Sequence, residues 1–69
     1  MRVEVSGREV KVGDMFDTQW YGVHRVTALK PYPKWGEMFP GYTARIAEFD
    51  DGAAGGMTIP DDAVEVVIR

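Results

Sequence analysis

The side chains that could do chemistry are few: one histidine, His24, one serine, Ser6, and no cysteine. A catalytic histidine needs a nucleophile or an orienting carboxylate in reach. Ser6 stands beside Gly7 in what reads as a turn, and the neighbouring Arg25 disfavours protonation of His24. His24 therefore reads as a solvated or hydrogen-bonded strand residue. The acid pairs Asp50-Asp51 and Asp61-Asp62 raise the question of a divalent cation, but calcium loops place their ligands at alternate positions. Both pairs read as turn-forming or helix-end residues. Gly55-Gly56 lacks the lysine and following helix of a phosphate loop. The chain is expected to hold no cofactor or metal and not to be an enzyme.

Recognition chemistry is better represented. Of eight aromatics, Phe16 and Phe49 fall inside strand-like runs and read as core, whereas Trp20, Tyr21, Tyr32, Trp35, Phe39 and Tyr42 fall in or beside two loops. Tyrosine and tryptophan offer large contact area at low side-chain entropy cost and anchor partner surfaces. Arg25, Lys30, Lys34 and Arg45 are interleaved with them, the pattern by which single-stranded nucleic acid is stacked and neutralised. Four bases supply little affinity alone, and the acidic last third opposes such a partner.

Sixty-nine residues bury only about 60% of the surface their unfolded chain exposes, which argues for one domain over residues 1 to 69 and against a deep substrate cleft. The formal charge of −3 divides as −1 over residues 1–19, +3 over 20–45 and −5 over 46–69. No apolar run approaches the roughly 20 residues of a membrane span, and the N-terminus lacks the apolar stretch of a signal peptide. A cytoplasmic protein is the expectation.

The elements that must position these residues read as short strands. Arg2 to Val5 and Arg8 to Val12 alternate on either side of Ser6-Gly7, which predicts an N-terminal hairpin over residues 2–12. Gly13-Asp14 punctuates the chain before a short run from Met15 to Thr18. Val23 to Leu29 is a β-branched run ended by Pro31. The stretch PYPKWGEMFPGY, residues 31 to 42, carries three prolines and two glycines and is read as a non-helical loop. Tyr42 to Phe49 carries apolar groups on both faces, which leaves its inward face open. Asp50-Asp51-Gly52 and Gly55-Gly56 bracket a hairpin with Ala53 and Ala54 at its tip, leading into Met57 to Ile59. Pro60 to Ala63 suits a single 3₁₀ or helical turn. The last strand, Val64 to Ile68, is read with Val64, Val66 and Ile68 inward and Glu65 outward.

This order resembles an SH3-like barrel over Val12 to Ile68, an all-β fold of five or six short strands with one 3₁₀ or helical turn before the last. Curling the sheet solves the problem of short strands with exposed edges. The phrases VKVGDMF, HRVTALKPYP, ARIAEFDDG and GMTIPDDAVEVV also resemble small uncharacterised proteins of actinobacteria and their phages, which implies an accessory protein and no functional residues. In the barrel the two aromatic loops lie near each other and would form one surface, of the kind such barrels use for extended proline-rich peptides; the same aromatics could instead plug the barrel ends. The resulting expectation is a non-catalytic module that contacts a protein partner, or a second copy as a homodimer, through Trp20, Tyr21, Tyr32, Trp35, Phe39 and Tyr42, with Arg25 and Lys34 at the rim. Nucleic-acid binding by the same aromatics with Arg25, Lys30, Lys34 and Arg45 is one alternative. The other is an acidic nucleic-acid mimic, which requires Glu48, Asp50, Asp51, Asp61, Asp62 and Glu65 along one face.

Overall fold

A computed structural model describes residues 1–19, 21–52 and 55–69. The fold is all-β: six antiparallel strands in one sheet, β1 (Arg2–Ser6), β2 (Met15–Asp17), β3 (Val23–Pro31), β4 (Ala44–Phe49), β5 (Gly56–Pro60) and β6 (Val64–Ile68), ordered β1-β6-β2-β3-β4-β5. A meander from β2 to β5 is thus closed upon by β6, which returns to lie beside β2. No helix among the described residues is long and apolar enough to cross a membrane.

β3 is the strand around which the sheet curls. Its first residues pair with β2 and the remainder with β4, and the register shifts between Val26 and Ala28. Thr27 is the extra residue, and its hydroxyl donates to the Glu48 carbonyl at 3.2 Å. Such a bulge bends the strand and increases local twist.

The core gathers Val10, Phe16, Val26, Ala47, Phe49, Ile59 and Val67, with Val3, Val5, Leu29 and Met57 packed against it. Phe16 and Phe49 meet edge to face at 6.1 Å between ring centroids, as their strand positions suggest. On β4 the inward face is the one bearing Arg45, Ala47 and Phe49: Ala47 and Phe49 are buried and Arg45 is half-buried.

Four expectations are corrected. No hairpin forms over residues 2–12, because β1 pairs with β6 and the chain then enters a 3₁₀ turn, Gly7–Glu9. Gly7 serves close approach instead: a Cβ there would lie 1.7 Å from the Pro60 carbonyl oxygen. Its N–H donates to the Ala63 carbonyl at 2.8 Å and its carbonyl accepts from Arg45 at 2.7 Å. The loop after β3 is not free of helix, since Lys34–Met38 forms one turn, α1. Pro33 sits at its N-cap, where a missing N–H costs nothing, and Pro40 lies beyond its end. Pro60 to Ala63 is a single hydrogen-bonded turn, with the Ala63 N–H donating to the Pro60 carbonyl at 3.2 Å, and leads directly into β6 without forming a helix.

The fourth correction concerns β6. Val67 is fully buried while Val64 is 73% and Val66 47% exposed. The register with β1 sets this, because Val67 stands opposite Val3 and Glu65 opposite Val5. Cross-strand partners share a face, so Glu65 faces inward, where burial raises its carboxyl above the ordinary value. The cleanest alternation in the sequence marks the solvent face. Ala53 and Ala54, expected at the tip of the β4–β5 hairpin, lie outside the described residues.

Candidate functional site

The segment between β3 and β4 is held as a rigid shelf. The Tyr32 N–H donates to the Ala44 carbonyl at 3.0 Å, Trp35 N–H to Tyr32 at 3.2 Å, Phe39 N–H to Trp35 at 2.8 Å and Tyr42 N–H to Phe39 at 3.1 Å. Trp35 and Phe39, one helical turn apart, pack with ring centroids 4.6 Å apart. Trp35 and Tyr32 are half-buried, whereas Met38, Phe39 and Tyr42 are exposed.

Two shallow hollows open on this shelf and share Tyr42. One, about 250 Å³, is bounded by Trp35, Phe39, Tyr42, Pro60 and Asp62. The other, about 340 Å³, lies between Tyr32, Pro33 and Gly36 on one side and Thr43, Arg45 and Asp61 on the other. The charged groups at the border are already paired. Thr43 donates its hydroxyl to Asp61, Arg8 is ion-paired with Asp62, and the Arg45 guanidinium stands 3.8 Å from Asp61.

Tyr32, Trp35, Phe39 and Tyr42 are therefore brought together, and Tyr21 is not one of them. Tyr21 precedes β3 and Tyr32 follows it, so the two sit at opposite ends of a nine-residue strand, roughly 25 Å apart at extended spacing. Tyr21 instead borders a separate hollow of about 270 Å³ with Thr18, Phe49 and Met57. The single aromatic surface expected from two adjacent loops is thus divided. Trp20 lies outside the described residues.

The four bases are dispersed. Lys34 opens α1 on the shelf and is exposed. Arg25 lies on the outer face of β3 against the Met15 sulfur at 3.9 Å, and Lys30 is paired with Glu48 at 2.8 Å. Arg45 points inward, donating to the carbonyls of Gly7 at 2.7 Å and Val10 at 2.9 Å. It is a fastener between β4 and the 3₁₀ turn. The acids do not share a face either: Asp50 and Asp51 follow β4 at one end of the sheet, Asp61 and Asp62 follow β5 at the other, Glu48 is outward and Glu65 inward.

His24 is a hydrogen-bonded strand residue, as expected, but Arg25 does not govern its protonation. Neighbours in a strand point to opposite faces, so Arg25 turns outward while His24 shares the face of buried Phe16. Its Nδ1 stands 2.9 Å from Asp50 and its Nε2 contacts the Tyr21 carbonyl, with Asp51 at 3.6 Å. The Tyr21 carbonyl and then the two carboxylates outweigh desolvation and raise the imidazole pKa. Both ring nitrogens face acceptors, so both donate when the ring is charged.

One buried charge went unnoticed in the sequence. Asp14 is 2% exposed, accepts from Arg69 Nε at 2.8 Å and from the Lys11 N–H at 3.0 Å. Burial alone would raise its carboxyl, but the Arg69 hydrogen bond, the Lys11 N–H and the attraction of both cations hold it below the ordinary value. The Gly13-Asp14 pair signalled the turn, and nothing signalled a partner 55 residues away. No family model matches the chain, and neither a curated protein nor a solved structure matches it.

Proposed function

We propose that this chain is a small non-catalytic binding module whose shelf, residues 31 to 42 with Pro60, docks a segment of another protein carrying two apolar side chains, one for each hollow. The observation that carries this reading is the exposure of Met38, Phe39 and Tyr42, at 56%, 47% and 55%, around hollows walled by Trp35 and Pro60. A partner loses little by ordering such a surface, because the shelf is already hydrogen-bonded at successive points. Docking apolar groups there strands no charge, since Asp61 and Asp62 keep their own partners. Lys34 at the rim sets orientation more than affinity.

The reading is tested by selecting binders from a random twelve-residue peptide library on the immobilised protein. Selected peptides should lose at least about tenfold in affinity on Phe39→Ser and on Tyr42→Ser, as truncation of an aromatic anchor costs about 2 kcal/mol. A mixed-sequence single-stranded oligonucleotide serves as the competing probe. Peptides whose affinity ignores both substitutions, or tight binding of the oligonucleotide alone, would overturn the proposal.

A further inference from the structure

The outer face of the sheet at β1, β6, β2 and β3 carries a second surface that the shelf does not touch. Val64, Val66 and Ile68 run down the solvent side of β6, a strand with neighbours on both sides, and Met15 and Val23 extend the apolar area across β2 and β3. Val64, Val66 and Val23 are 73%, 47% and 48% exposed. A one-sided sheet ordinarily shows polar residues to water. Here the regular apolar period of the strand is spent on the outside, while its glutamate faces in.

The charges beside this column are ordered in two levels. At the level of Ile68 stand Arg2 on β1 and Arg25 on β3, since Arg2 pairs with Ile68, Ile68 with Met15 and Met15 with Arg25. One pair along, Glu4 stands opposite Val66 and Asp17 opposite Val23. A positive level therefore adjoins a negative one. Arg2 already reaches across β6 to Asp17 at 3.5 Å, so these side chains span the apolar column.

We infer that this face is the contact between two copies of the chain, packed sheet on sheet about a two-fold axis that crosses the strands between the Ile68 and Val66 levels. Face-to-face packing requires the axis to lie in the interface, and an axis across the strands reverses their direction in the second copy. Ile68 then meets Val66 of the second copy, and the arginine level of each meets the acidic level of the other. A surface of one sign would repel its own copy; this one is complementary to itself. β1 and β6 are five residues long, β2 and the part of β3 paired with it three, so four strands about 4.8 Å apart give roughly 250 Å² of sheet plane with Val64 at its edge, which places the contact at the small, transient end of protein interfaces. The dimer is accordingly weak, with a dissociation constant in the micromolar to millimolar range.

Sedimentation velocity from about 10 µM to 1 mM tests it. The sedimentation coefficient of the unaltered chain should rise with concentration, and Val66→Lys, at an exposed site, should remove the rise while leaving the melting temperature nearly unchanged. Arg2→Glu and Glu4→Arg should each weaken association at least about tenfold, and the double variant should restore it, which a merely structural role would not do. Phe39→Ser should leave association intact, which separates this face from the shelf. A monomer throughout the range, association that survives Val66→Lys, or loss of association on Phe39→Ser would each overturn the inference.

Discussion

Val67→Ala and Val66→Ala should differ sharply although the residues are adjacent. Val67 has no exposed surface, and its side chain belongs to the core with Val10, Phe16 and Ile59. Removing two buried carbons forfeits about 1.6 kcal/mol at roughly 0.8 each, and the cavity left behind brings the loss to about 2 to 3 kcal/mol. Val66 is 47% exposed, so the same truncation should cost under about 1 kcal/mol. For a domain of this size 1 kcal/mol moves the melting temperature by about 4 to 8 °C. Val67→Ala should then melt about 8 to 24 °C lower, and Val66→Ala within a few degrees of the parent, by calorimetry or by circular dichroism at low protein concentration, where self-association is negligible. Total stability is only about 3 to 10 kcal/mol, so the first variant should also unfold at visibly lower urea. Equal shifts, or a larger one for Val66→Ala, would refute the assignment of the inward face of β6.

Gly7→Ala should cost about 3 kcal/mol or prevent folding, because the new Cβ meets the Pro60 oxygen at 1.7 Å; Gly52→Ala, which meets nothing within 4 Å, is the control and should change the urea midpoint little. Asp14→Asn should lower the melting temperature at neutral pH by leaving Arg69 unpaired beside a buried site. The Asp14 carboxyl is depressed in the fold, so its contribution is present above the ordinary carboxylate value and disappears as pH falls through the lowered one; parent and variant should converge at strongly acid pH. His24 is raised, which gives the opposite sign: its contribution is full below about 6.5 and is lost as pH rises through the raised value. The parent should therefore lose stability relative to His24→Phe between weakly acid and weakly alkaline pH, and an NMR titration of the ring that gives an ordinary or lowered pKa would refute the His24–Asp50 pairing.

Much of the strand order was legible because glycine, proline and aspartate punctuate it. Gly13-Asp14, Pro31, Asp50-Asp51-Gly52 and Pro60 each end or begin a strand in the structure. Which face of a strand turns inward was not legible where both faces are apolar. On β6 the alternation of Val64, Val66 and Ile68 is real, yet pairing with β1 buries Val67, and that pair, Val3 with Val67, joins opposite ends of the chain. Gly7 misled for a related reason: a glycine required by close approach to Pro60 has the same local signature as one required by a turn. The helical turn at Lys34–Met38 was hidden by counting prolines without placing them, since Pro33 and Pro40 fall at its ends. Of the candidate surface, Tyr32, Trp35, Phe39 and Tyr42 were identified by their density in one segment, whereas Tyr21 was joined to them by assuming that two loops meet. Arg45 reads as one of four bases interleaved with the aromatics until the register shows it opposite Ile59, on the face that is buried.

Backbone amide chemical-shift mapping with a selected peptide tests the proposed docking surface most directly. The account predicts that the largest changes fall on residues 32 to 42 and 60 to 62, with little change around Tyr21 and along β6. Changes centred on Thr18 to Gly22 and Met57, or on Val64 to Ile68, with the shelf undisturbed, would contradict it.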